Sequence, residues 1–143
     1  TAFTLALTLA FEQMEEKDKI QYWIELSDYD LETAKAMLKS KRYLYVGFMC
    51  HQCIEKILKA YYTNTLHDNP PFSHSLSYLS AKSKADEWLN EHYKDFIDQL
   101  EPLNIEARYP SQKERLLKSL SKKRCQYLIE STEKLQKWIK QKF

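Results

Sequence analysis

Residues 20–38 read IQYWIELSDYDLETAKAML, and the spacing of their apolar positions decides the fold class. Small or apolar side chains recur at intervals of four, three, four, three and four residues, at Ile20, Ile24, Ser27, Leu31, Ala34 and Leu38. Positions spaced in this way share one face of an α-helix. The stretch therefore predicts a long helix with a single buried stripe.

Residues 39–42 interrupt this pattern, and further helices are predicted after them. A second helix is expected at about 43–66, short helices at about 75–82 and 85–100, and a last helix at about 112–140. Paired prolines make 67–71 a loop, and Pro102 and Pro110 bracket a second irregular stretch. The predicted seam of the last helix comprises Leu117, Leu120, Arg124, Tyr127, Ser131, Leu135 and Trp138.

The composition excludes several classes of protein. A single glycine, Gly47, cannot build either of the glycine-rich loops that cradle phosphates, and it disfavours a sheet with tight hairpins. A length of 143 residues fits one domain. We therefore predict an all-α protein, an up-and-down bundle of four to five helices.

The first thirteen residues differ from the rest of the chain. Residues 1–11 read TAFTLALTLAF, which is uncharged and too short to span a bilayer, and no basic segment precedes this apolar run. After Met14 the sequence becomes strongly charged. We expect residues 1–13 to be a non-native or disordered extension and residues 14–143 to form a single domain. The alternative is an N-terminal strand or helix that packs on a partner.

Three cysteines and an uneven charge distribution bear on compartment and partners. Three cysteines form no disulfide framework and suit a reducing compartment, so a cytoplasmic location is expected.

The charge is unevenly distributed along the chain: residues 1–110 carry 12 basic and 17 acidic side chains, whereas residues 111–143 carry 10 basic and 3 acidic ones. The basic end could meet an acidic partner or nucleic acid, but a solvated helix face or one side of a self-complementary dimer is the favoured interpretation.

Cys50 and Cys53 form a C-x-x-C pair in the middle of the predicted second helix. Zinc needs four ligands and there is no second pair, while redox pairs of this kind lie at a helix start. Both cysteines share the side of the helix predicted to be buried. We therefore expect packed structural thiols, with no metal and no cofactor.

A polar ridge lies opposite that buried side, formed by His51, Gln52, Glu55, Lys56 and Lys59. Spacing of four residues lines up His51, Glu55 and Lys59, a set that could perform acid–base chemistry or hold a phosphate. Spacing alone favours a solvent-exposed face with an ordinary Glu–Lys pair.

His74 precedes the start of the predicted short helix, which Ser73 or Ser75 could cap, and is expected at the surface.

Residues 104–110, NIEARYP, place a cation beside an aromatic ring in a loop that Pro110 ends. Arg108 offers a planar fork for phosphate, and Tyr109 offers a face on which a base can stack. Structural roles are equally consistent with these residues: Arg108 could bridge helix ends, and Tyr109 could belong to the core.

Four motifs in order carry a family resemblance: Tyr22 followed by Asp30-Leu31-x-x-Ala34, then Phe48-x-x-His51-Gln52-x-x-Glu55-Lys56-x-x-Lys59-Ala60, then His74-x-Leu76, then Glu106-Ala107-Arg108-Tyr109-Pro110. This pattern resembles the HEPN domain family over roughly residues 18–140. The resemblance implies a helical bundle that dimerises, nucleotide or RNA as ligand, and a separate nucleotidyltransferase as partner.

Some HEPN proteins are metal-independent ribonucleases of toxin–antitoxin modules, with a signature of Arg, four to six residues, then His. The present chain departs from it, because His51, His67, His74 and His92 all precede Arg108. The resemblance therefore implies a non-catalytic module that binds a nucleotide of the ATP or GTP class, a nucleotidyltransferase partner, or both, without a membrane. An RNA-directed ribonuclease using His51 and His74 is the alternative.

The resemblance also changes the interpretation of the ridge. His51, Glu55, Lys56 and Lys59 match the second-helix motif of the family, and Arg108-Tyr109 match its loop motif. We expect these residues to line a nucleotide groove, which could form only across a homodimer.

Overall fold

The computed structural model describes the backbone of residues 1–105 and 110–143, and the side chains of residues 1–104 and 113–143. Within these ranges the regular secondary structure is helical, with no β-strand, and loops connect the helices. The helices are α1 (Ala2–Glu12), α2 (Glu16–Lys39), α3 (Tyr43–Leu66), α4 (Leu76–Lys82), α5 (Glu91–Leu100), α6 (Pro102–Ile105), α7 (Pro110–Ser119) and α8 (Lys122–Lys140), with a 3₁₀ turn at Ala85–Glu87. The predicted all-α bundle is confirmed.

Helix α3 is the central element. It packs along α2 and against α8, and it also contacts α4, α5, α6 and α7. The core around it contains Ala34, Val46, Ile54, Ile57, Leu58, Leu76, Leu79, Leu100, Leu128, Leu135 and Ile139. Since α3 has neighbours on several sides, it buries far more of its surface than one apolar stripe.

The turn between α2 and α3 ends one long helix within three residues. Lys41 has φ of 61°, and the N–H of Arg42 donates to the carbonyl of Met37 at 2.8 Å. The N–H of Lys41 donates to the carbonyl of Leu38 at 3.1 Å, which completes a Schellman motif without glycine. This tight reversal places α3 antiparallel to α2.

The predicted last helix is two helices, and most of the expected seam is wrong in register, although Leu120 and Leu135 are buried. Helix α7 ends at Ser119, and the side chain of Ser121 accepts a hydrogen bond from the N–H of Arg124 to begin α8. Leu117 and Tyr127 of the predicted seam are exposed. The buried residues of α8 are Cys125, Leu128, Ile129, Thr132, Leu135, Gln136 and Ile139, which mostly lie one position later than the prediction.

The predicted helix at 85–100 is likewise interrupted. The 3₁₀ turn covers its start, and the side chain of Asn90 then accepts a hydrogen bond from the N–H of Tyr93 to begin α5. Pro102 and Pro110 each begin a helix, a position where the missing N–H of proline costs nothing.

The N-terminal segment forms α1, which has no buried residue. Its contact with the bundle includes Phe11, whose ring lies 5.4 Å from that of Tyr22 and 5.7 Å from that of Trp23. The expectation that residues 1–13 do not belong to the native domain stays a prediction.

Candidate functional site

The polar ridge of α3 is enclosed by the protein. Side chains of His51, Glu55 and Lys59 are 0%, 1% and 9% exposed, so the expected solvent-exposed face is wrong. Helix α2, the segment before α4, and the junction of α5 with α6 cover this face, through contacts of residues far apart in the chain. Buried charged groups are costly unless they are paired, and here they form a network.

Glu55 is the centre of this network. Its Oε2 accepts a hydrogen bond from Nζ of Lys59 at 3.1 Å, and its Oε1 lies 2.9 Å from Nδ1 of His74. Nζ of Lys56 lies 3.9 Å from the same carboxylate. Burial opposes ionisation of Glu55, but Lys59, His74 and Lys56 more than offset it and hold the pKa of this carboxyl below its usual value.

His51 lies between two carboxylates. Its Nδ1 is 4.0 Å from Oε1 of Glu55, its Nε2 is 3.9 Å from Oε2 of Glu101, and neither ring nitrogen has a hydrogen bond among the described residues. Burial opposes ionisation of Glu101. The His51 ring, the backbone N–H groups of Leu76 and Ser77 and the Ser77 hydroxyl outweigh burial and lower the pKa of Glu101 to about 2.

Lys56 ties α3 to two other helices. Its Nζ donates to Oε1 of Gln52 at 2.7 Å, and Nε2 of Gln52 donates to Oδ1 of Asn104 in α6 at 2.9 Å. The same ammonium lies 3.5 Å from Asp30 of α2. Burial raises the pKa of Asp30 despite the attraction of Lys56. Lys56 therefore connects α3 directly to α2 and, through Gln52, to α6.

Lys59 is the ridge residue that reaches a cavity. The cavity measures about 300 Å³ and lies between α1, α2 and the loop before α4. Nζ of Lys59 is 5.4 Å from the ring centroid of Trp23, in a cation–π geometry. The lining residues are Leu7, Thr8, Phe11, Glu12, Tyr22, Trp23, Lys59, Asn69, Pro70, Pro71 and Phe72.

The structure brings together His51, Glu55, Lys56 and Lys59, and it adds residues that the sequence analysis did not assign to the nucleotide groove. His74 joins through Glu55, although its side chain is 61% exposed, and Ser75 caps α4 as expected. The predicted Arg108 and Tyr109 lie outside the described residues. Trp23, Glu101 and Asn104 were missed because nothing local marks them, whereas Asp30 already appeared in the family motif.

Both cysteines of the C-x-x-C pair lie in the core, as expected. Cys50 and Cys53 are free and fully buried, and burial raises the pKa of the Cys50 thiol to about 12. Thiols in this state are poor nucleophiles, since the thiolate is the reactive form.

In the part of the chain that the structure describes, His, Cys, Asp and Glu side chains nowhere form a group of three suited to a metal ion.

The fold and this site define a helical bundle with an enclosed polar network at its central helix. The HEPN domain family matches the chain over residues 20–142. The chain therefore belongs to the HEPN domain family, as its sequence motifs indicated.

A solved structure shares this fold. The crystal structure of TT1696 from Thermus thermophilus aligns with a TM-score of 0.75 and 18% sequence identity, over 87% of the present chain and 98% of that chain. At this identity the likeness concerns the fold alone.

None of the curated proteins matches the chain. Among the described helices, none has the length and apolar character needed to cross a membrane.

Proposed function

We propose that the chain is a non-catalytic HEPN module that binds a nucleotide of the ATP or GTP class. The observation that carries the proposal is the position of Lys59. Its ammonium is held by Glu55 at one end of the enclosed network, and it reaches a cavity bordered by Trp23 and Phe72. A fixed cationic donor beside aromatic rings is a combination that nucleotide sites use.

The other ridge residues support this position. Glu55 fixes the ammonium of Lys59, while Lys56 holds α3 against α2 and α6 through Asp30 and Gln52. His51 fills the space between Glu55 and Glu101. In this proposal Arg108 and Tyr109 add a phosphate contact and a stacking face, as the family motif implies.

Thermal unfolding with and without nucleotide tests the proposal. A ligand that binds only the folded chain adds RT ln(1 + [L]/Kd), about 2.7 kcal/mol at a hundredfold excess over Kd. We expect millimolar ATP, GTP or their di- and monophosphates to raise the midpoint, and Lys59→Met and Arg108→Ala to diminish the shift. Lys94→Met is the control, since Lys94 is half-exposed on α5 and does not line this cavity. No shift with any nucleotide would contradict the proposal.

The ribonuclease alternative receives less support from the geometry. His51 is fully buried, so its ring does not reach an RNA backbone, and the exposed His74 has its Nδ1 engaged with Glu55. The two rings therefore cannot act on RNA together as an acid–base pair. RNA incubated with the purified chain and with His51→Ala tests this alternative. Cleavage that depends on His51 would support it, and equal cleavage by both proteins would indicate contamination.

A nucleotidyltransferase subunit as partner is favoured by one feature, the basic corner formed by α7 and α8. Lys113, Lys118, Lys122 and Lys123 are exposed there, and none has an ion pair among the described residues. An acidic surface of another subunit would complement them. Co-purification with the product of a neighbouring gene tests this, and sedimentation tests the expected homodimer. Absence of any neighbouring nucleotidyltransferase gene would count against the partner.

A further inference from the structure

We infer that the cavity beside Lys59 receives the nucleobase of the ligand, while the phosphates stay outside it. This inference rests on the proposed function and states which part of a nucleotide the chain recognises. The base would stack against Trp23 and Phe72 and accept a hydrogen bond from Lys59.

The lining of the cavity favours a flat, uncharged group. Most of its lining residues are apolar or aromatic, and its polar lining residues are few. A volume of about 300 Å³ is at the lower end of the range for small-molecule sites, about 300–1,000 Å³. Phosphate groups carry charge that such a lining would desolvate without compensation.

Lys59 presents hydrogen-bond donors to the cavity without presenting a net charge. An ammonium has three N–H donors. One of them is used on Glu55 at 3.1 Å, and no other hydrogen bond to Lys59 is found among the described residues. Because the ionised Glu55 neutralises this ammonium, the remaining donors suit a neutral acceptor, such as a base carbonyl or ring nitrogen, better than a polyanion.

Two further polar groups at the cavity complement the edge of a base. Oδ1 of Asn69 accepts a hydrogen bond from Nζ of Lys19 at 2.9 Å, which leaves the amide N–H groups of Asn69 as donors. Glu12 also lines the cavity and supplies an acceptor, and its negative charge disfavours a phosphate nearby. A base is recognised by stacking on aromatic side chains and by hydrogen bonds along its edge, and this lining offers both.

Phe72 provides the decisive variant because its side chain is 100% exposed. Removing it leaves the core intact, so Phe72→Ala changes binding without unfolding the chain. Tyr29→Ala is the matched control, since Tyr29 is an exposed aromatic residue of α2 that does not line the cavity. Trp23, Lys59 and Phe72 all lie outside residues 1–13, so this side of the slot does not depend on α1.

Titration calorimetry on the full chain compares adenosine, guanosine, cytidine and uridine with ATP, GTP and inorganic tripolyphosphate. We expect at least one nucleoside to bind within about tenfold of its nucleotide, and tripolyphosphate not to displace the bound nucleoside. Phe72→Ala should weaken nucleoside binding about 5- to 150-fold, the equivalent of one lost stacking contact. Tyr29→Ala should leave it unchanged, and the unfolding midpoint of both variants should match the unchanged chain.

The failures of the two proposals are distinguishable. If nucleotides bind, tripolyphosphate competes, and nucleosides do not bind, the base assignment is overturned and the nucleotide function stands. The same holds if nucleosides bind but Phe72→Ala has no effect. If neither nucleosides nor nucleotides bind, both proposals are overturned.

Discussion

The ion pair between Glu55 and Lys59 joins two buried side chains on successive turns of α3. Removing Lys59 takes the nearest ammonium from the buried Glu55 and leaves it with His74 and the more distant Lys56. Breaking a buried ion pair costs about 3–5 kcal/mol. We therefore expect Lys59→Met to lower the free energy of unfolding by about 3 kcal/mol. Urea denaturation at pH 7 measures the loss.

Three further variants are needed to interpret that result: Glu55→Leu, Glu55→Leu/Lys59→Met and Lys94→Met. In Glu55→Leu/Lys59→Met the loss should be smaller than the sum of the single losses, because both charges are then absent. Lys94→Met should change stability by no more than about 0.5 kcal/mol, since Lys94 pairs with Glu91 at 3.8 Å on the surface. A loss for Lys59→Met as small as for Lys94→Met would contradict the enclosed pair.

The lowered pKa of Glu101 predicts how the stability of the chain depends on pH. Its pKa is lowered from 4.5 to about 2 in the folded chain, so its stabilising contribution is complete above the unfolded pKa. That contribution is lost as the pH falls from about 4.5 towards 2. Glu101→Gln should therefore destabilise most at neutral pH, and its difference from the unchanged chain should shrink over this interval.

Unfolding free energies measured between pH 7 and pH 2.5 test this behaviour. Glu130→Gln is the control, because Glu130 is exposed on α8 and makes no ion pair among the described residues. Its difference from the unchanged chain should stay within about 0.5 kcal/mol throughout. A Glu101→Gln difference that does not vary with pH would be inconsistent with the lowered pKa.

At the scale of elements, Ser121 separates α7 from α8. Its hydroxyl accepts the N–H of Arg124 at 3.1 Å, so Ser121→Ala should cost about 1 kcal/mol of stability. Ser121→Asp keeps an oxygen acceptor at the N-cap and should restore most of this loss. Urea denaturation of the two variants provides the measurement, and equal stability of all three chains would show that the cap contributes nothing.

The turn after α2 carries a residue in a conformation that disfavours it. Lys41 has φ of 61°, where a side chain costs roughly 1–2 kcal/mol and glycine does not pay this cost. Glycine also has more freedom in the unfolded chain, which opposes folding and offsets part of this relief. The net effect of Lys41→Gly should be a stabilisation of about 0.5–1 kcal/mol. Thermal unfolding checks the sign. Lys41→Ala keeps a Cβ and should change little, so a similar gain for both variants would point to the charge instead.

At the scale of the whole molecule, the bundle is expected to unfold as one unit that excludes α1. Helix α1 has no buried residue, and its aromatic contacts with Tyr22 and Trp23 are worth about 0.5–1.5 kcal/mol each. A chain of residues 14–143 should therefore lose no more than about 3 kcal/mol and keep a single transition.

Circular dichroism and tryptophan fluorescence followed in urea for both chain lengths test this expectation. Coincident transitions indicate one cooperative unit. Separate transitions, or a much larger loss on shortening, would mean that α1 is part of the folded domain.

Local patterns were sufficient for much of the architecture. The stripe from Ile20 to Leu38 predicts α2, and the apolar side of α3 is predicted by Val46, Cys50 and Ile57. The interruption at Ser121 was missed because its apolar neighbours continue a helical spacing, although serine is a preferred N-cap. In α8, most of the predicted seam lies one position before the residues that are buried, although Leu135 is buried as predicted.

The sequence by itself determined the fold class, the family and the set of polar side chains on α3, because helix periodicity and motif spacing are local properties. Only the tertiary structure decided that this polar side is buried. The residues that enclose it, including Asp30, His74, Glu101 and Asn104, come from segments distant in the chain. Spacing within α3 reports which residues share a face, but burial depends on what packs against that face.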